Sequence, residues 1–457
     1  MKTRHLFSAL AALCILGSCG ESDEGLVLPN EKQLEWADAE LGIMIHYDMQ
    51  VFNPDYEFRQ WGTHPDASTY NPDQLNTDQW LETASKLGAK YAVLVAKHCC
   101  GFSLWPTEAH DYSVKSCPWK DGKGDIVADF IASCKKYNIK PGIYASTSAN
   151  GYYHVDNPGV VQPGSPYTQA EYNAVVEKQL TELWGNYGDL FEVWFDGGVL
   201  AEDRGGAKVG DLLIKMQPNA IAFQGPYGHP NLIRWVGNET GDAPYPCWAT
   251  CDSTTNADGT KVISDLNGNP NAQFWCPGES DCTLRHNNTR QGGWMWAPGE
   301  DDRLYNVKQL MGKYVSSVGR NTNMLLGIVI DNHGLVPEGD VKRLQEYGDE
   351  IKRQFGTPLA TTKGKGPEVV LKVSDQPVSI NRAIIQEDIA HGERILSYRL
   401  MGLNAAGEWQ QLSEGTCVGH KRIELFDPVE VTQVKLEVTE SKAKPLIRTL
   451  SVFETLE

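Results

Sequence analysis

Short apolar runs that stop at a polar side chain recur from residue 41 to residue 331, and helical patterns lie between several of them. Leu41–His46 (LGIMIH) ends in a histidine, and Lys90–His98 (KYAVLVAKH) ends in a basic pair followed by Cys99, Cys100 and Gly101. Lys140–Ser146 (KPGIYAS) carries Tyr144 near its tip, and Leu190–Asp196 (LFEVWFD) ends in a carboxylate followed by Gly197 and Gly198. Ile233–Glu239 (IRWVGNE) holds Arg234 and ends at Glu239; Gln273–Glu279 and Met324–Asp331 also finish in carboxylates. Runs of this length and composition predict buried strands. Apolar residues at helical spacing over Leu75–Leu87, Ile126–Tyr137 and Tyr172–Trp184 predict the helices between them. The alternation predicts an α/β fold, a (β/α)8-like barrel, whose chemistry gathers where the strand C-termini meet. A lone Asp-Gly-Gly after a strand is ordinarily a turn. The recurrence of polar strand tips is what singles out Asp196.

The texture changes after residue 340. A helical pattern over Val341–Gln354 is followed by a glycine-rich basic stretch, and then by short alternating runs: Val369–Val373, Arg394–Leu403, Lys421–Phe426, Val431–Val438 and Ile447–Glu454. These predict a barrel over 31–356, a linker over 357–367 and a C-terminal all-β sandwich over 368–457. Such a sandwich can bind carbohydrate or brace the barrel, and bracing is the expectation. At the other end, Lys2, Arg4 and His5 precede an apolar stretch closed by Leu16-Gly17-Ser18-Cys19. Residues 1–19 therefore predict a signal peptide. Its ending resembles a bacterial lipoprotein box, with Cys19 as the lipidated residue and 20–30 as a tether. The expectation is an exported lipoprotein, periplasmic or anchored at the outer membrane or cell surface, touching the membrane only through its lipid.

Composition narrows the chemistry. A formal charge of −18 in 457 residues, without a basic stripe, argues against a nucleic-acid partner. The 13 Trp and 18 Tyr include several beside strand ends, namely Trp194, Trp235, Trp248, Trp275, Trp294 and Trp296, where aromatic faces can stack on sugars. Nine of the 11 cysteines lie beyond Cys14 and Cys19, so at least one thiol is left unpaired. Cys247 with Cys251, and Cys276 with Cys282, have spacings open to a disulfide or a metal, but no histidines accompany them at zinc-site spacing. No metal and no cofactor is expected.

From about Glu35 to Glu457 the chain resembles glycoside hydrolase family 29, the α-L-fucosidases. The matching stretches are Gly42–His46, Trp61-Gly62, Ala96-Lys97-His98, Gly101–Pro106, Pro141–Tyr144, Trp194–Gly197, Arg234–Glu239 and Ser317–Asn321. Arg234–Glu239, with Gln386–Ala390 and Gly419–Ile423 in the tail, is similar to the branch that prefers α-1,3 and α-1,4 linkages. The resemblance implies a retaining exo-enzyme acting on fucosylated oligosaccharides or glycoconjugates. Asp196 would be the nucleophile and Glu239 the acid/base, with Glu279 as the alternative acid/base. His46, Trp61, His98, Cys99, Tyr144, Trp194 and Arg234 match positions that line the sugar pocket, and Trp235 and Trp248 would give Glu239 an apolar setting. One position departs from the pattern: the family usually carries histidine where this chain has Cys99. A thiol is a weak hydrogen-bonding group, so the departure leaves open an altered sugar preference or a glycan-binding lipoprotein with a weakened barrel. Intact Asp196 and Glu239 favour the enzyme.

Overall fold

The computed structural model of the protein describes residues 25–57, 63–255, 261–263 and 265–456. Cys19 and Trp61 lie outside them. Eight parallel strands form a closed barrel: β1 Leu41–His46, β2 Tyr91–Lys97, β3 Lys140–Ala145, β4 Glu192–Trp194, β5 Ile221–Phe223, β6 Leu232–Trp235, β7 Gly278–Thr283 and β8 Thr322–Val329. Each strand pairs with its neighbours in sequence, and β8 closes on β1. Helices α1 Glu31–Ala37 and α2 Met49–Phe52 flank β1. Around the outside run α3 Thr77–Leu87, α4 Ile126–Tyr137, α5 Gln169–Asn186, α6 Val209–Met216, α7 Val307–Ser316 and α8 Glu338–Phe355. Their starts are written in the sequence. Asn76 and Asp125 cap α3 and α4, while Thr168 with Glu171 and Asn306 with Gln309 form reciprocal capping boxes on α5 and α7.

Strand alternation sorts side chains into two populations. Ile43, Ile45, Ala92, Leu94, Ile143 and Val193 face outward onto the helices, while Met44, Val93, Val95, Tyr144, Trp194 and Phe223 fill the barrel interior. Helix α1 closes the N-terminal end: the Trp36 indole donates to Glu192 at 3.2 Å, and Asn323 donates to the Trp36 carbonyl at 2.7 Å. The opposite end stays open to the loops.

The barrel departs from eight regular β/α repeats. Among the described residues no helix follows β5 or β6. The chain between β6 and β7 instead builds small antiparallel pairs, Thr250–Cys251 with Phe274–Trp275 and Ser253–Thr255 with Lys261–Ile263. This corrects the expectation of one strand running from Gln273 to Glu279. Pro277 has no N–H to offer a ladder, and β7 begins only after it. Glu279 is therefore the second residue of a barrel strand, not its tip.

The sandwich contains two four-stranded antiparallel sheets. Its strands are β9 Ala360–Lys365, β10 Glu368–Lys372, β11 Val378–Glu387, β12 Ile395–Leu403, β13 Trp409–Gly415, β14 Arg422–Val431, β15 Gln433–Ser441 and β16 Leu446–Glu454. The sheet orders are β9-β16-β11-β14 and β10-β15-β12-β13. The glycine-rich stretch expected as a linker is thus mostly an edge strand. Gly364 is needed there because a Cβ would lie 2.8 Å from Val369 Cγ2. The sandwich grips the barrel through polar side chains. Glu393, buried, accepts from the Ala249 amide at 2.9 Å and from Asn321 at 2.5 Å. Lys421 and His420 both meet Glu40, and Arg448 pairs with Asp38 at 2.7 Å. Burial pushes the Glu393 carboxyl up to about 7, while Lys421 and His420 outweigh the burial of Glu40 and hold it at about 2. These contacts reach the loop after β6 at Ala249, the start of β8 at Asn321 and the turn before β1 at Asp38 and Glu40.

Candidate active site

Glu192, Trp194 and Asp196 alternate onto the barrel interior, so Asp196 stands at the open C-terminal mouth. Its carboxylate is oriented from β3: the Tyr144 hydroxyl donates to Asp196 Oδ2 at 2.9 Å. The Ser148 hydroxyl donates to the Asp196 carbonyl and fixes the backbone. Gly197 follows with φ +69°, and a Cβ there would lie 2.4 Å from the Asn157 amide nitrogen. Only glycine fits this close turn.

Two more strand ends converge on Tyr144. The His46 ring, buried at the tip of β1, lies 6.1 Å from the Tyr144 ring and 5.2 Å from His98. His98, just past β2, lies 5.9 Å from Tyr144, and its Nδ1 is 3.4 Å from Asp48 Oδ2. Burial, reinforced by His98, holds the His46 imidazole well below its usual titration range and so keeps it neutral. Burial pushes Asp48 the other way, but hydrogen bonds from His98, the Gln50 amide and Cys100 keep it below the usual carboxylate range. Asp48 is thus a fixed negative charge that orients His98. Trp294, from the loop after β7, lies 5.2 Å from His46 and closes this side.

Cys99 belongs to the same cluster. One His98 ring nitrogen, the Cys99 sulfur and an Asp196 carboxylate oxygen all lie within 4.8 Å of one another. Strict alternation would send His98 and Cys99 to opposite faces. The backbone avoids this with a bulge at Ala96, where Val95 pairs with Tyr144 and Lys97 with Ala145. A tight turn follows, in which the Gly101 amide donates to the His98 carbonyl at 3.0 Å with Gly101 at φ +93°. Cys99 Sγ lies 3.8 Å from Ser146 Oγ, while Cys100 turns away to donate to Asp48 at 3.2 Å. Burial, with the charge of Asp196, pushes the Cys99 thiol up to about 12, so it is protonated at neutral pH.

The remaining sequence candidates fall in different places. Strand β6 ends at Trp235, Gly237 turns at φ +89°, and Glu239 lies exposed in the loop beyond. Its Oε2 accepts from Trp294 Nε1 at 3.0 Å. Trp294 is therefore the tryptophan that meets Glu239. Trp235 donates instead to Asp281 at 2.7 Å, and the Trp248 carbonyl accepts from Arg234 at 2.7 Å. Glu279 is fully buried, holding donors from Tyr91 at 2.8 Å and Trp194 at 3.0 Å beside Glu192. Burial pushes Glu279 up to about 7 and Glu192 well above its usual range, so the pair shares protons inside the barrel rather than facing a ligand. Trp194 stacks on Phe223 at 3.9 Å and tilts against Tyr144 at 5.0 Å, forming the floor beneath Asp196. Arg234 alternates outward from Ile233, which packs in the barrel interior. Its guanidinium donates to the carbonyls of Cys276, Trp248 and Leu266. It ties down the excursion after β6 and is not part of the cluster around Asp196. Cys247 and Cys276 surround it, Cys282 lies in the barrel wall, and the nine cysteines from Cys99 to Cys417 are buried free thiols.

Two contributors, Asp48 and Asp281, escaped the sequence reading, and Trp294 was named there only among several strand-end tryptophans, not as the partner of Glu239. Asp48 was open to it, lying two residues past a strand tip. Asp281 alternates with Glu279 onto the interior, and burial pushes its carboxyl well above the usual range, with Glu239 and Glu279 adding to the effect. Trp294 sits in an irregular loop and carried no periodic signal.

A closed parallel barrel with carboxylates, imidazoles and aromatic rings at its C-terminal mouth defines a sugar-processing barrel hydrolase in form. Residues 27–354 match the α-L-fucosidase family, and the chain belongs to it. It is 31% identical to Alpha-L-fucosidase 1 of Arabidopsis thaliana, over 94% of this chain and 88% of that protein. The fold matches a crystal structure from Bacteroides thetaiotaomicron VPI-5482 with a TM-score of 0.88 at 39% identity, covering 94% of this chain and all of the other. A glycoside hydrolase 29 family member from an unknown rumen bacterium matches with a TM-score of 0.80 at 29% identity, covering 94% and 78% of the two chains. The protein is a glycoside hydrolase of the α-L-fucosidase family.

Proposed function

We propose that the enzyme removes terminal α-1,3- or α-1,4-linked fucose with retention, through a covalent glycosyl-enzyme on Asp196. The observation that carries this reading is the placement of Asp196 at the barrel mouth, with one carboxylate oxygen held by Tyr144. The other oxygen is left to attack the anomeric carbon. Glu239 donates a proton to the departing glycosidic oxygen and then takes one from the water that releases fucose. Retaining chemistry requires the two carboxyl groups roughly 5 Å apart. The contacts Asp196–Tyr144, Tyr144–His46, His46–Trp294 and Trp294–Glu239 wrap one side of the space between them. Full burial withholds this role from Glu279. His46 and His98 hydrogen-bond ring hydroxyls. The linkage preference rests on the Arg234–Glu239 stretch, and export as a lipoprotein anchored at Cys19 rests on residues 1–19. Proton NMR of a freshly started hydrolysis tests the mechanism: α-L-fucose forms first and mutarotates later. If β-L-fucose forms first, the reaction inverts and the covalent route is wrong.

A further inference from the structure

We propose that His98, Cys99 and Asp196 form a site for a thiophilic divalent cation, of which zinc is the type, and that its binding reversibly blocks the active site. The blocking effect rests on the reading of Asp196 as nucleophile. The cation site itself does not.

Three donors of three kinds, an imidazole nitrogen, a sulfur and a carboxylate oxygen, lie within 4.8 Å of one another. Zinc takes these donors in tetrahedral sites at about 2.0–2.3 Å, which puts ligands roughly 3.5 Å apart. Side-chain rotations of roughly 1 Å close the difference, and a water completes the fourth position as in open zinc sites. Sulfur sets the selectivity, since calcium and magnesium prefer all-oxygen shells.

Each donor already has an orienting neighbour, the feature that separates a metal site from a chance cluster. Asp48 stands 3.4 Å from His98 Nδ1, as a carboxylate backs a ligating histidine. Tyr144 holds Asp196 Oδ2, and Ser146 lies 3.8 Å from the Cys99 sulfur. His98 and Asp196 are both partly exposed, so a cation can enter from the mouth. On binding, a metal–sulfur bond forms as the Cys99 S–H bond breaks and its proton leaves to solvent. Thiolate and carboxylate then offset the two positive charges. Lys97, buried and bonded to the Ser146 carbonyl, favours the thiolate but repels the cation.

Cobalt(II) is the probe. Titrated anaerobically into the intact enzyme, it should give a near-ultraviolet thiolate-to-cobalt band that saturates at about one equivalent and is displaced by zinc. Cys99→Ser should abolish the band, whereas Cys134→Ser, a buried thiol in α4, should keep it. Asp196→Asn should weaken cobalt affinity at least tenfold, and it carries the test alone if Cys99→Ser fails to fold. In the wild type, zinc should inhibit fucoside hydrolysis and chelation should restore it. Absence of the band, or its survival in Cys99→Ser, overturns the site. A Cys99-dependent band with undiminished hydrolysis overturns the block and counts against Asp196 as nucleophile.

Discussion

Tyr144→Phe isolates the hydrogen bond on which the catalytic reading of Asp196 depends. The substitution removes one oxygen, the donor 2.9 Å from Asp196 Oδ2, and leaves the ring against Trp194, His46 and His98. Packing is kept, and the partly exposed carboxylate can take a water in exchange, so the melting temperature should move by only a few degrees. A hydrogen bond to a charged group contributes about 1.5–3 kcal/mol. If that bond aims the nucleophile, its loss appears in the transition state, and kcat/KM should fall by roughly 10- to 150-fold at about 1.4 kcal/mol per decade. The assay is steady-state hydrolysis of aryl fucosides with leaving groups of graded pKa. Because Asp196 acts in forming the glycosyl-enzyme, the loss should persist across the series in kcat/KM. A change of less than twofold at unchanged stability would refute the claim that Tyr144 positions the nucleophile.

Glu239→Ala should cripple hydrolysis of natural glycans while sparing activated aryl fucosides, and added azide, displacing Asp196 from the glycosyl-enzyme, should restore turnover as α-fucosyl azide; absence of rescue would remove Glu239 as the acid/base. Cys99→His places an imidazole donor in the pocket and should raise kcat/KM on fucosides by roughly tenfold, the equivalent of about 1.4 kcal/mol, with overpacking against Ser146 lowering stability by about 1–3 kcal/mol; a stability loss with no kinetic gain would show that Cys99 does not tune sugar binding. Stability should fall between pH 5 and pH 8. Glu279 and Glu393 are raised to about 7 and Glu387 to about 8, all mainly by burial, so their stabilising effect is complete below about 4.5 and is lost as pH rises through 7 to 8, with about 3 kcal/mol at stake for a carboxyl such as Glu393. Glu40, lowered to about 2, acts oppositely and loses its contribution as pH falls from about 4.5 toward 2. Urea midpoints at pH 5, 6, 7 and 8 check this, and a flat or rising series would contradict it.

What could be read from the residues divides along physical lines. Strands whose apolar runs were long were placed closely: Leu41–His46 and Lys140–Ala145 match to within a residue, as does helix Ile126–Tyr137. Ile221–Phe223 was missed because three residues carry no period, and Trp409–Gly415 because its side chains are mostly polar. Asp196 was legible because a strand tip fixes where a side chain points. Glu279 misled because Pro277 interrupts the run and moves the strand start beyond it. Arg234 misled because alternation turns it outward, and no sequence pattern announces the carbonyls that receive it. Trp294 was legible only as one of several tryptophans near strand ends, since its contact with Glu239 joins two loops 55 residues apart. The described structure leaves residues 1–24 aside, so export and lipidation at Cys19 rest on the sequence alone. Among the described residues no helix is long and apolar enough to cross a membrane.

The central claim is that Asp196 forms the bond to the sugar. Incubation with a 2-deoxy-2-fluoro-fucosyl fluoride, which forms the intermediate faster than water can release it, followed by proteolysis and tandem mass spectrometry, tests that claim directly. The account predicts a single fluorofucosyl adduct on Asp196, absent from Asp196→Asn. An adduct on Glu239, Asp281 or any other residue, with Asp196 unmodified, would contradict it.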